Sequence, residues 1–203
     1  MRPTLLAAAL GWLLSGCISL GAFQGPDVLP EGKTEVGFGI VGGGSLEKDE
    51  SGGVGLFELY GRMGVAPRLE LGARTTGFLA TEGIATGAIM VEGKYQLVTT
   101  RPLVSAGMGV SFYALEVDDD SFYTIGLYPA LWIGSPNLFA GVRMIIVTIG
   151  ASNSDEVGTG SLVGLTIGTR LGGRVRLRPE LTLFAPLGGP PLLVGGLGIA
   201  VRL

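Results

Sequence analysis

Val175-Arg176-Leu177-Arg178-Pro179-Glu180-Leu181-Thr182-Leu183 decides the fold. Val175, Leu177, Leu181 and Leu183 fall on one face of an extended chain, and Arg176, Arg178 and Glu180 fall on the other. Alternation of this kind marks a strand with two chemically opposed faces. It recurs in residues 69–75, where Glu70 and Arg74 share a face, and in residues 89–97, where Glu92, Lys94 and Gln96 do. Near the end of the sequence Leu197, Ile199, Val201 and Leu203 alternate with Gly196, Gly198, Ala200 and Arg202.

Composition argues the same way. Glycine supplies 37 of the 203 residues, and mean hydropathy is positive at +0.51. Each Gly inside a helix costs about 1 kcal/mol relative to Ala. Past residue 16 no run approaches the roughly 18 continuous apolar residues of a membrane helix. An apolar, Gly-rich chain of this kind builds strands, and no second composition zone interrupts it. Histidine is absent and Cys17 is the single cysteine. The commonest general base and the commonest transition-metal ligand are therefore missing, which points to a non-enzymatic protein with no metal and no cofactor. A net charge of −3 provides no basic footprint for nucleic acid.

Ten segments carry the alternation: 33–41, 54–66, 69–77, 85–98, 102–113, 122–133, 138–148, 161–171, 175–184 and 192–203. Ala66-Pro67-Arg68, Thr99-Thr100-Arg101, Gly134-Ser135-Pro136-Asn137 and Gly172-Gly173-Arg174 read as tight turns. The connections between them read as longer polar loops over 42–53, 78–84, 114–121, 149–160 and 185–191. This organisation resembles small bacterial outer-membrane barrels, with short turns at one end and long loops at the other. The resemblance implies an all-β, antiparallel up-and-down transmembrane β-barrel of about eight to ten strands over residues 33–203.

The first residues carry a second resemblance. Arg2 follows Met1, an apolar core runs from Leu5 to Leu14, and Leu14-Ser15-Gly16-Cys17 closes the stretch. These are the parts of a secretory signal, and the last four residues are similar to the bacterial lipobox. That likeness implies removal of residues 1–16, a diacylglyceryl group on Cys17 and handling by lipoprotein-sorting machinery. Ile18 stands where Asp commonly signals inner-membrane retention, so the implied address is the outer membrane, lipid-anchored at its periplasmic leaflet. Residues 17–32, rich in Gly and Pro, read as a lipid-anchored flexible tether. Gly198, Val201 and terminal Leu203 resemble the assembly signal that such barrels present to the barrel-assembly machinery, although Leu203 replaces the usual aromatic residue.

Hydrocarbon offers no water to peptide groups, so a sheet in a membrane closes on itself and turns its charges inward. The expected lumen network is Glu58, Arg62, Glu70, Arg74, Glu92, Lys94, Arg143, Arg170, Arg176, Arg178, Glu180 and Arg202, with both signs interleaved. Gly164, Gly168, Gly196 and Gly198 on the same face leave room for long side chains. Aromatic residues cluster toward strand ends: Phe57, Phe78, Phe112, Tyr113, Phe122, Tyr123 and Phe184 toward the loops, Tyr95, Trp132 and Phe139 toward the tight turns. They read as two interfacial girdles, with Trp132 and Phe139 turned inward.

Other motifs read as structure. Asp118-Asp119-Asp120 with Glu116 lacks the spacing of a calcium loop and reads as a solvated tip. Gly42-Gly43-Gly44-Ser45 is followed by no Lys-Ser or Lys-Thr and reads as a flexible loop. The expected role is a structural scaffold or docking surface in an envelope complex. Membrane lipids would contact Cys17 and the barrel wall, and protein partners would meet the acidic loops. Two alternatives stand beside it: a narrow channel whose Arg-rich lumen favours anions, and a soluble lipid-anchored barrel binding a hydrophobic ligand in the periplasm.

Overall fold

The computed structural model of the protein describes residues 19–46, 53–80, 83–117, 120–151, 154–186 and 189–203. Cys17 and the signal-like residues before it lie outside the described residues, as do Glu47, Lys48, Asp49, Glu50, Glu82, Asp118 and Asp119 of the acidic loops.

Among the described residues twelve strands follow one another: β1 (Thr34–Ser45), β2 (Gly53–Ala66), β3 (Leu69–Ala80), β4 (Gly83–Val98), β5 (Leu103–Val117), β6 (Asp120–Leu127), β7 (Ala130–Gly134), β8 (Leu138–Ala151), β9 (Ser154–Thr169), β10 (Leu171–Gly172), β11 (Val175–Pro186) and β12 (Leu192–Arg202). Apart from β6 with β7 and β9 with β10, sequential neighbours pair antiparallel, and β1 also pairs with β12 from Glu35↔Arg202 to Ser45↔Leu192, which closes the sheet into a barrel. Its wall has ten staves, because two of them are broken. β6 and β7 form one stave, both pairing with β5 and β8 at different heights. The break falls at Tyr128-Pro129, where Pro129 has no N–H to give while Tyr128 and Gly109 still exchange backbone hydrogen bonds of 2.9 and 3.1 Å. β9 and β10 form the other, interrupted at Arg170, whose N–H turns to the Asn137 carbonyl at 2.9 Å.

The wall is inside-out relative to a soluble domain. Phe38, Ile40, Leu59, Leu71, Val91, Ile125, Leu165, Leu181 and Ile199 are exposed on its outer surface, with Ile89 at 65%. Glu58, Arg62, Glu70, Arg74, Lys94, Arg143 and Arg178 are buried inside. On β11, Val175, Leu177, Leu181 and Leu183 point outward. They cover about 26 Å of strand, or about 20 Å along the axis at a tilt near 40°, close to the ~25 Å apolar band of outer-membrane barrels.

Three expectations need correction. The loops read over 78–84, 114–121 and 149–160 are mostly strand, with pairing that continues to Ala80↔Gly83, Val117↔Asp120 and Ala151↔Ser154, and Gly42-Gly43-Gly44-Ser45, read as a flexible loop, is the paired end of β1. An antiparallel ladder satisfies backbone groups whatever the side chains, so Gly, Ser, Thr and Asp extend a hairpin once its neighbour is in register. Phe184, read as a girdle residue, is instead fully buried on the inner face of β11, beside Arg143. Trp132 and Phe139 also point inward, packed edge to face at 5.8 Å.

The third correction concerns the tether. Residues 19–29 do not hang below the barrel but lie largely buried within it. A segment rich in Gly and Pro supplies backbone donors and acceptors with little side-chain bulk, and a lumen lined by charges needs such partners.

Candidate functional site: the plugged lumen

The plug enters at the tight-turn end. Gly32, at φ 74°, turns the chain inward, and its N–H reaches the Gly64 carbonyl at 2.8 Å, beside a Glu31–Gly64 bridge. From there the chain runs up the lumen in reverse sequence order, and the wall holds it chiefly by its backbone. The Leu29 N–H donates to Glu70 Oε2 at 2.9 Å, and Lys94 Nζ donates to the Gly25 carbonyl at 3.1 Å. Glu180 accepts the N–H groups of Ala22 and Phe23 at 2.6 and 2.7 Å. Glu58 accepts the Gly21 N–H at 2.9 Å and the Ser19 hydroxyl at 3.1 Å. Carbonyl groups meet the cations: Gly21 O accepts from Arg74 at 2.7 Å and from Arg143 at 3.0 Å, Leu20 O from Arg143, and Phe23 O from both Arg62 and Arg178.

Phe23 is the plug's apolar anchor. Its ring is fully buried and stacks on Tyr60 at 5.8 Å. It lies where Cβ atoms at Gly39 and Gly198 would stand; at Gly198 an added Cβ would approach Phe23 Cδ1 to 2.8 Å. The backbone of Phe23 adopts φ 47°, a left-handed conformation that costs a non-glycine residue on the order of 1–3 kcal/mol. The ring seat, the bonds to Glu180 and the two guanidinium groups hold it there.

Beneath the plug the wall pairs its own charges. Arg74 bridges Glu58 at 3.0 Å and Glu92 at 2.9 Å, and Lys94 meets Glu70 at 3.1 Å. Arg178 and Arg176 flank Glu35 at 2.6 and 3.1 Å, while Arg62 lies 3.7 to 4.0 Å from Glu92, Glu35 and Glu70. Arg143 differs: among the described residues it has no ion pair within 4.0 Å, and its hydrogen bonds go to plug carbonyls while it lies 5.0 Å over the Phe184 ring. Arg170 pairs with plug residue Asp27 at 2.5 Å. Burial pushes the Asp27 carboxyl up, but Arg170 and then Lys94 outweigh it and hold that carboxyl below the ordinary aspartate range. Arg202 sits half-buried near the tight-turn rim, opposite Glu35 in register.

Two members of this network lie outside the twelve residues read from sequence. Glu35 is fully buried, and its signal was present: it shares parity on β1 with Gly37, Gly39 and Val41, the small inward face. Asp27 had no such signal, because nothing periodic marks a plug. Of the residues likened to an assembly signal, Gly198 faces Phe23, Leu203 is exposed, and the Leu203 N–H closes onto the Thr34 carbonyl at 2.8 Å. A void of about 30 Å³ remains between Ser19, Ala22, Arg74, Glu92, Trp132 and Arg143. It has room for a water molecule or two. Among the described residues no group of His, Cys, Asp and Glu is arranged to hold a metal ion.

No family model matches the chain, and no curated protein matches it. Solved structures do. An outer membrane channel from Pseudomonas putida F1 is 9% identical over 92% of this chain and 100% of that one, with a TM-score of 0.46. The translocator domain of the autotransporter NalP from Neisseria meningitidis is 12% identical over 98% and 97%, at 0.44. Ail, the attachment invasion locus protein of Yersinia pestis, is 10% identical over 86% and 100%, at 0.33.

Proposed function

We propose that this chain is an outer-membrane β-barrel lipoprotein that acts structurally, as a sealed scaffold or docking platform in the cell envelope, and not as an enzyme. The observation that carries the reading is the sealed lumen inside an apolar wall. Plug backbone and wall charges occupy the interior among the described residues, which supports a resting barrel closed to solutes. The outward apolar band supports membrane insertion, because a soluble barrel would turn that face to its own core. The lipobox-like Leu14-Ser15-Gly16-Cys17 supports lipidation and export. In this reading the hairpins at the end away from Gly32 face outward and meet partner proteins.

The test combines outer-membrane fractionation with gel migration before and after boiling. A sealed scaffold barrel fractionates with the outer membrane, shifts mobility on boiling, and leaves a planar bilayer electrically silent. Mobility unchanged by boiling would reject the membrane barrel, and a wild-type protein conducting continuously would reject the seal.

A further inference from the structure

Resting on that sealed-barrel reading, we infer that residues 19–30 are a displaceable plug, and that their withdrawal opens a pore selective for small anions with Arg143 as its binding residue. The first support is that the wall survives the plug's departure. Glu58, Glu92, Glu70 and Glu35 keep partners within the wall through Arg74, Lys94, Arg176 and Arg178. Water entering the lumen takes over the hydrogen bonds that the plug's backbone made.

The second support is what the plug leaves behind. Arg143 and Arg170 lose their hydrogen-bond partners, the plug carbonyls and Asp27, while Glu180 loses only the Ala22 and Phe23 N–H groups. The Gly21 carbonyl oxygen lies between Arg74 and Arg143 at 2.7 and 3.0 Å, two cations converging on one acceptor, which is the arrangement an anion takes. Nε of Arg74, Arg143 and Arg178 has no hydrogen-bond partner among the described residues, so donor capacity exceeds the acceptors present. With the plug gone, the cations on the described inner face are Arg62, Arg74, Lys94, Arg143, Arg170, Arg176, Arg178 and Arg202, against Glu35, Glu58, Glu70, Glu92 and Glu180. A lumen with that excess concentrates anions and repels cations.

The third support is how the plug is attached. It is a single irregular pass, turned inward at the exposed, left-handed Gly32, and gripped mainly through backbone groups. Removing it frees the space that one pass of chain occupies.

The experiment is planar-bilayer conductance in a potassium chloride gradient, comparing the full chain with Gly21→Leu and Ala22→Leu. Both substitutions lie in the plug, leave every wall residue intact and add no charge among the lumen cations. At Gly21 an added Cβ would approach Phe23 to 2.5 Å and Glu58 to 3.0 Å, and Ala22 is packed with Trp132 and Phe139, so a larger side chain at either position crowds the docked plug. The expected result is a silent full chain and steady steps from both variants, with a reversal potential displaced toward that of chloride. Adding Arg143→Gln to Gly21→Leu should weaken that displacement. Variants that keep boil-sensitive mobility yet stay silent, or that pass potassium in preference, overturn the proposal while leaving the sealed barrel standing. Loss of boil-sensitive mobility in both variants also overturns it, because the plug is then an integral part of the fold. A conducting full chain counts against the sealed reading instead.

Discussion

Arg178 Nη2 donates to Glu35 Oε1 at 2.6 Å, joining β11 to β1 across the intervening β12, and Glu35 is fully buried there. Arg176 approaches the other oxygen at 3.1 Å and Arg62 lies 3.9 Å away. One carboxylate therefore neutralises the most crowded cations in the lumen. Glu35→Gln leaves these guanidinium groups facing one another. Breaking a buried pair costs about 3–5 kcal/mol, reduced where water can enter the lumen. The expected outcome is a lower temperature for the boiling-dependent mobility shift, read by heating samples in steps. An unchanged transition would show that the pair contributes nothing to stability.

The seat of Phe23 supplies a second prediction. Gly198→Leu places a side chain where the Phe23 ring lies, so the plug loses its anchor while β12 keeps its pairing. Expelling a buried Phe forfeits about 1.5–3 kcal/mol of apolar burial. Limited proteolysis should cut residues 19–30 faster in this variant, with barrel mobility unaltered. Equal cutting rates would place the plug's stability in its polar contacts alone.

Acid should loosen the plug in a defined direction. The folded-state value of Asp27 is held below its ordinary one, so its pairing with Arg170 contributes fully above the ordinary aspartate range. That contribution fades as pH falls through the lowered value. Protease accessibility of the plug should stay flat from neutrality down to mild acid and rise below it. Asp27→Asn should raise accessibility at neutral pH and flatten the acid dependence. A rise already near neutrality would assign the loosening to a group other than Asp27.

Ser19 and Cys17 set up a conflict that an experiment can resolve. Docked Ser19 donates to Glu58, eight residues up β2 from the rim residue Ala66. That is about 20 Å along the axis, whereas two residues of chain reach at most about 7 Å. A lipid on Cys17 cannot rest in the leaflet at the tight-turn end while the plug is docked. The sealed reading therefore expects the docked plug to prevail, with residues 19–30 equally protected from protease in the full chain and in Cys17→Ser. Faster cutting in the full chain would show that lipidation displaces the plug and would count against the seal.

The sequence by itself determined the barrel. Alternation along 69–75, 89–97 and 175–183 separates charged from apolar faces, and hydrogen-bond closure leaves such strands few other arrangements. Each side chain's face follows from a period of two, a local property, which is why even the overlooked Glu35 carried its signal. Hairpin lengths escaped because ladder pairing does not depend on side-chain polarity. The plug could be decided only by tertiary structure. Residues 19–30 have no periodicity, and their composition suits a tether as well as a lumen filler. What distinguishes the two is the arrangement of Glu58, Glu180, Arg74 and Arg143 around one stretch of backbone, groups from four separate strands that meet only when the barrel closes.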